Sequence, residues 1–86
     1  MPVARKPDAL TLEQAIGQVL RGLREGKDLK QADVAAATNF AVTTLRKMEG
    51  GKQSMTIRSL DALSMFYQLP IEDIIIRAKK LRESTL

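Results

Sequence analysis

The stretch from Thr11 to Gly26 constrains the fold more than any other part of the chain. Its apolar residues recur three and four positions apart, as on one face of an α-helix. They are Leu12, Ala15, Ile16, Val19, Leu20 and Leu23. Thr11 and Gln14 have the spacing of a capping box, in which each side chain hydrogen-bonds the backbone of the other residue. We therefore predict a long amphipathic helix that begins at Thr11 and ends near Gly26.

Two short helices are expected next. Residues 31–38 are rich in alanine and favour a short helix, and Asn39 tolerates the left-handed backbone of a tight turn. A third helix is predicted from about Ala41 to Glu49, where a pair of glycines follows. This segment places Leu45 and Met48 on one face and polar residues on the other.

The last third of the chain predicts two further helices. Thr56 is suited to cap the fourth helix, and Pro70 suits the first turn of the fifth. The residues of the fourth helix that are expected to face inward are Ile57, Leu60, Leu63, Ser64 and Tyr67. The β-branched residues 74–76 leave a strand open as an alternative at that point.

Composition limits the possible functions. The chain has 86 residues, of which 44% are hydrophobic, which is enough for one compact core but too little for two domains. The formal net charge of +4 favours an anionic partner such as nucleic acid. Cysteine and histidine are absent, so we expect no disulfide, no metal site, no cofactor and no catalytic residue. One Tyr, two Phe and no Trp offer little surface for stacking bases, which favours duplex DNA over single strands.

No segment has the pattern of an export signal or of a membrane span. The longest purely aliphatic run is Ile74-Ile75-Ile76, which is far too short to cross a bilayer. We expect a soluble, cytoplasmic protein that has no membrane partner.

The central motif resembles a known family. Residues 29–35 read Leu-Lys-Gln-Ala-Asp-Val-Ala, and Asn39, Leu45, Met48-Glu49 and Gly51-Lys52 follow at the spacing of the phage Cro and repressor signature. The resemblance extends over residues 12–76. It implies an all-α, compact five-helix domain of the lambda-repressor type, with its helix-turn-helix at about residues 31–49. The chain would then consist of a flexible N-terminal arm (1–10), the DNA-binding domain (11–76) and a C-terminal helix end or tail (77–86) that could serve dimerisation.

Three residues depart from the family pattern. Asn39 replaces the usual turn glycine, Lys30 replaces a conventional N-cap, and Ala41 gives the third helix no side-chain cap. These departures affect the expected helix boundaries rather than the fold.

The resemblance also assigns roles to individual residues. The third helix would be the recognition helix in the major groove, although the same residues could form a solvated helix face. The residues expected to contact base edges are Val42, Thr43, Arg46 and Lys47, and those expected to contact phosphates are Gln31, Thr44 and Lys52. Arg24 and Glu49 are expected to form an ion pair between the first helix and the end of the recognition helix.

A second group of residues predicts self-association. The apolar residues of the last two helices exceed what one small core can hide, and the family commonly dimerises through this region. The expected interface residues are Met65, Phe66, Ile71, Ile75 and Leu81. A symmetric homodimer would present two recognition helices to a palindromic operator.

These features favour a sequence-specific regulator of transcription, most simply a repressor that binds double-stranded operator DNA. The alternative is an antitoxin, which would use the same domain for autoregulation and would also bind a toxin; an antirepressor is another possible protein partner. An enzyme is disfavoured, because the chain has no nucleophile system based on His or Cys and no phosphate-binding glycine loop.

Overall fold

The structure, a computed structural model, describes residues 10–84, which form five α-helices in the predicted order. The helices are α1 (Leu12–Glu25), α2 (Gln31–Thr38), α3 (Val42–Glu49), α4 (Ile57–Tyr67) and α5 (Ile71–Ser84). The predicted all-α, five-helix fold is therefore confirmed. Residues 74–76 are helical, and no strand occurs between residues 10 and 84. Most of the predicted N-terminal arm, residues 1–9, lies outside the described residues.

The helix N-termini follow from local side-chain chemistry. The Oγ1 of Thr11 accepts from the N–H of Gln14 at 3.1 Å, and the N–H of Thr11 donates to Oε1 of Gln14 at 2.8 Å, which completes the predicted capping box. Thr56 caps α4 in the same way by accepting from the N–H of Ser59 at 3.0 Å. Lys30 has no acceptor with which to cap α2, but its own N–H donates to the carboxylate of Asp33 at 2.9 Å.

All five helices contribute side chains to one core. Its largest fully buried side chains are Leu20, Val34, Leu45, Met48, Leu63 and Ile74. Helix α5 continues without a break beyond residue 76, and Ala78 is also fully buried. Ala78 and Leu81 of this segment therefore pack with the core, while most of their neighbours are exposed.

Helix α1 approaches the end of α3 at a glycine. A Cβ atom added to Gly17 would lie 2.5 Å from the carbonyl oxygens of both Met48 and Glu49, which is closer than a side chain can come to backbone. Glycine costs helix stability relative to alanine, but here it permits the two backbones to meet. This contact fixes the C-terminal end of α3 against the middle of α1.

One predicted core residue is not buried. Ile57 was expected to face inward, but 76% of it is exposed. Its neighbours Thr56 and Arg58 are exposed as well, and Leu60 is the first buried residue of α4. The prediction was wrong because the first turn of α4 extends past the core, and helical periodicity defines a face without defining where the core ends.

Candidate nucleic-acid interface

Helices α2 and α3 are joined by a tight turn around a small residue. Asn39 ends α2 with φ 62° and ψ 27°, the left-handed conformation that asparagine tolerates better than most residues. The N–H of Phe40 donates to the carbonyl of Ala35 at 3.0 Å, and Ala35 is almost completely buried. Leu45 is fully buried on the inner side of α3. The two helices are therefore held at a fixed angle.

The outer side of α3 presents polar side chains to solvent. Thr43, Arg46 and Lys47, three of the four residues predicted to contact bases, are exposed on this helix. The fourth, Val42, is half-buried and packs against the core from the edge of the surface. Thr44, a predicted phosphate contact, is also half-buried. The exposed part of α3 is thus polar and basic.

Arg24 and Glu49 form the predicted ion pair, and its geometry is bidentate. The Nε of Arg24 donates to Oε2 of Glu49 at 2.8 Å, and Nη2 donates to Oε1 at 3.0 Å. The remaining Nη1 donates to the carbonyl of Leu29 at 2.8 Å. The side chains are only 12% and 3% exposed, so the pair is well shielded from water. Its hydrogen bonds to Glu49 raise the pKa of Arg24 above the ordinary value.

Glu49 has a second partner that the sequence did not indicate. The Nε2 of Gln31, the first residue of α2, donates to Oε1 of Glu49 at 3.1 Å. A single carboxylate at the end of α3 therefore joins α1 through Arg24 and α2 through Gln31. This cluster, formed by Arg24, Gln31 and Glu49, is called the carboxylate cluster below.

A basic cleft opens above the carboxylate cluster. It has a volume of about 420 Å³. Its lining includes Arg21, Gln31, Arg46, Lys47, Glu49 and Lys52. Four of these side chains are cationic, and they come from α1, from α3 and from the connection that follows α3. The cleft brings two predicted phosphate contacts, Gln31 and Lys52, next to the outer side of α3.

Comparison with protein families finds a match over most of the chain. Residues 15–74, which run from α1 into α5, match the model of a family described as a helix-turn-helix domain. The chain belongs to this helix-turn-helix family. The resemblance that the sequence motif indicated is thereby confirmed at the level of the helix-turn-helix domain. No curated protein sequence is similar enough to match the chain.

Solved structures with the same fold include three regulators. The clp gene regulator ClgR from C. glutamicum has 22% identity and a TM-score of 0.83, with 90% of this chain and 99% of that chain covered. The restriction-modification controller protein C.AhdI from Aeromonas hydrophila has 21% identity and a TM-score of 0.68, covering 71% and 92%. A third is the controller protein C.Esp1396I, solved as a tetramer with its natural 35 base-pair operator, with 21% identity, a TM-score of 0.70 and coverage of 80% and 95%.

The helix-turn-helix domain buries the single tyrosine of the chain, Tyr67. The hydroxyl of Tyr67 has no hydrogen-bond partner among the described residues. Burial raises the pKa of Tyr67 to about 12, and the negative charge of Glu49 adds to the increase while Arg24 opposes it. The phenol ring also lies edge-on to Phe66, with ring centroids 5.0 Å apart. The tyrosine therefore stays neutral and acts as part of the core.

Not all the residues predicted to form a dimer interface are fully exposed to solvent in the helix-turn-helix domain. Met65 is 70% exposed. The others are half-buried and pack against the outside of the core; they are Phe66, Ile71, Ile75 and Leu81. Ile76 adds a further exposed apolar side chain on α5. The exposed apolar area on α4 and α5 is thus smaller than the sequence suggested, and it is centred on fewer residues.

The part of the chain that the structure describes contains neither a candidate metal site nor a candidate membrane-spanning helix. No group of three or more His, Cys, Asp or Glu residues between residues 10 and 84 could hold a metal ion. None of the helices in this range is long and apolar enough to cross a membrane.

Sequence reasoning missed the place of Arg21 in the cleft. A signal was present, because Gly17, Arg21 and Arg24 are spaced four and three residues apart and so share one face of α1. The resemblance identified Arg24 as the partner of Glu49. Because Arg21 lies on this face about one turn before Arg24, the same reasoning would have placed it beside the end of α3.

Proposed function

We propose that this helix-turn-helix domain is a transcriptional regulator that reads the sequence of duplex DNA with α3. The observation that carries the proposal is the exposure of Thr43, Arg46 and Lys47 on a helix whose inner side is fixed in the core. Lys and Arg side chains can donate to O6 and N7 of guanine, and a Thr methyl group can pack on the methyl group of thymine. A helix of this kind fits the major groove of B-DNA.

Phosphate contacts would hold α3 in register. Gln31 lies in the first turn of α2, where the helix dipole favours an anion, and its amide is oriented by Glu49 at 3.1 Å. Lys52 is exposed beside α3, and Thr44 is accessible in part. These three residues would contact the DNA backbone, which positions a protein without specifying a sequence. Val42 would contribute an apolar contact at the edge of the reading surface.

The regulator would act as a homodimer on a palindromic operator. The exposed Met65 and the half-buried apolar residues Phe66, Ile71, Ile75 and Leu81 supply an apolar surface for self-association. The similar fold of C.Esp1396I, which is a tetramer on its operator, supports assembly on DNA. Two-fold symmetry would place two copies of α3 in successive major grooves, roughly 10 base pairs apart. Occupation of such a site within a promoter would repress transcription, and such a regulator would act in the cytoplasm of a phage host or bacterium.

Selection of bound duplexes from a random library tests this function. The expected result is enrichment of a palindrome whose half-sites are roughly 10 base pairs apart. A variant with Thr43→Ala, Arg46→Ala and Lys47→Ala should retain the fold, because all three side chains are exposed, and should lose the enrichment. Absence of any enriched motif with the wild-type protein would contradict sequence-specific binding.

A further inference from the structure

One face of α1 lies against the end of α3. Gly17 meets the carbonyls of Met48 and Glu49, and Arg24, seven residues further on, hydrogen-bonds the carboxylate of Glu49. Arg21 lies between them on the same face, one helical turn beyond Gly17. Arg24 is therefore committed to the buried carboxylate, whereas Arg21 projects to the lining of the basic cleft.

The charges around the cleft are unbalanced. Arg21, Arg46, Lys47 and Lys52 are cationic, and the acidic residue in the lining, Glu49, already carries the bidentate bond from Arg24. Like charges that gather in a cleft repel each other and raise the local concentration of anions. An anion bound in the cleft would offset the repulsion between these four cationic side chains.

The partner of Arg21 in the free protein holds it only weakly. The Nε of Arg21 donates to Oε2 of Glu25 at 3.2 Å, and the two side chains are 62% and 55% exposed. Exposed ion pairs of this type contribute little to stability, so Arg21 can leave Glu25 at small cost. Hydrogen bonds between a guanidinium group and a phosphate are stronger and can be bidentate.

We propose that Arg21 contacts a DNA backbone phosphate, so that α1 clamps the duplex from outside the helix-turn-helix. The inference rests on the proposed function, because an anion in a cleft bordered by the outer side of α3 would be a phosphate of the DNA that α3 reads. On binding, the Arg21 side chain exchanges the Glu25 carboxylate for a phosphate oxygen. This contact adds affinity for every duplex and no sequence preference.

A salt series on the Arg21→Ala variant tests the proposal. The logarithm of the association constant is measured against the logarithm of salt concentration, on the selected operator and on a scrambled duplex of the same length. We expect a slope less steep by about 0.9, the loss of one phosphate contact, with affinity reduced by the same factor on both duplexes. Arg21→Lys should restore the slope, because the lysine retains the charge.

Arg77→Ala is the matched control. Arg77 is exposed on α5 and does not line the cleft, so its removal changes the net charge equally without removing a contact. Arg77→Ala should leave the slope of log affinity against log salt unchanged. If Arg21→Ala also leaves this slope unchanged, Arg21 makes no phosphate contact and the inference is overturned. If the wild-type protein shows no salt-dependent binding to either duplex, the proposed function itself has failed, which is a different result.

Discussion

Glu49 connects three helices through one carboxylate, and this makes it the most consequential residue of the site. Its oxygens accept from Arg24 on α1 and from Gln31 on α2, while its own backbone ends α3. The sequence motif predicted the partnership with Arg24. The bond from Gln31 and the place of Arg21 were not predicted, since they depend on how closely α1 approaches α3 at Gly17. Such distances follow from packing and not from the spacing of residues along the chain.

Removal of Arg24 should destabilise the fold strongly. Arg24→Ala would leave the buried carboxylate of Glu49 without its cation, and breaking one side of a buried pair costs about 3 to 5 kcal/mol. Arg21→Ala removes the same side chain from an exposed pair on the same helix and should cost no more than about 1 kcal/mol. Urea unfolding of both variants measures the difference. Equal stabilities would show that the buried pair does not stabilise the fold.

Alkaline pH should weaken the fold through Tyr67. An exposed tyrosine has a pKa near 10, whereas burial raises the pKa of Tyr67 to about 12. The folded state therefore holds this proton more tightly, and its contribution is complete below pH 10 and is lost as the pH rises towards 12. The loss amounts to up to about 3 kcal/mol.

Tyr67→Phe isolates this effect. The variant should lose less stability than the wild-type protein over the same pH range, because it has no phenol to ionise. Tyr67 is the single tyrosine of the chain, so its ionisation can also be followed by phenolate absorbance. Parallel pH profiles of stability for the two proteins would contradict the raised pKa.

At the scale of elements, local sequence signals determined most of the fold. The capping box at Thr11, the cap at Thr56 and the left-handed Asn39 are set by residues within a few positions of each other, and all were predicted. The exposure of Ile57 was not predicted, because it depends on where α4 leaves the core. Nor was the role of Gly17, which looks unfavourable in a helix until α3 is placed beside it.

Two glycines of α1 provide a direct test of that close approach. Gly17→Ala should destabilise the domain by about 1 to 3 kcal/mol, since its methyl group would meet the carbonyls of Met48 and Glu49. Gly22 is exposed and has nothing within 4 Å of an added Cβ atom. Gly22→Ala should therefore stabilise the same helix by up to about 1 kcal/mol through helix propensity. Thermal unfolding that shifts in the same direction for both variants would rule out the close contact.

At the scale of the whole molecule, the structure of a single chain gives the least information about self-association. The proposed interface is best tested at Met65, because its side chain is 70% exposed and a charge there should leave the monomer folded. Met65→Glu should lower the mass measured by sedimentation and weaken binding to a palindrome more than binding to a half-site. A wild-type protein that sediments as a monomer at high concentration would exclude the dimer.

The most direct test of α3 as the reading helix compares two lysines. Lys47→Ala and Lys52→Ala each remove one cationic side chain from the same cleft. Binding of both variants is measured on the operator and on a scrambled duplex. Lys47→Ala should cost about 1 to 3 kcal/mol on the operator and less on the scrambled duplex, so that specificity falls. Lys52→Ala should weaken both equally and preserve specificity. Identical behaviour of the two variants would contradict the assignment of α3 as the helix that reads DNA.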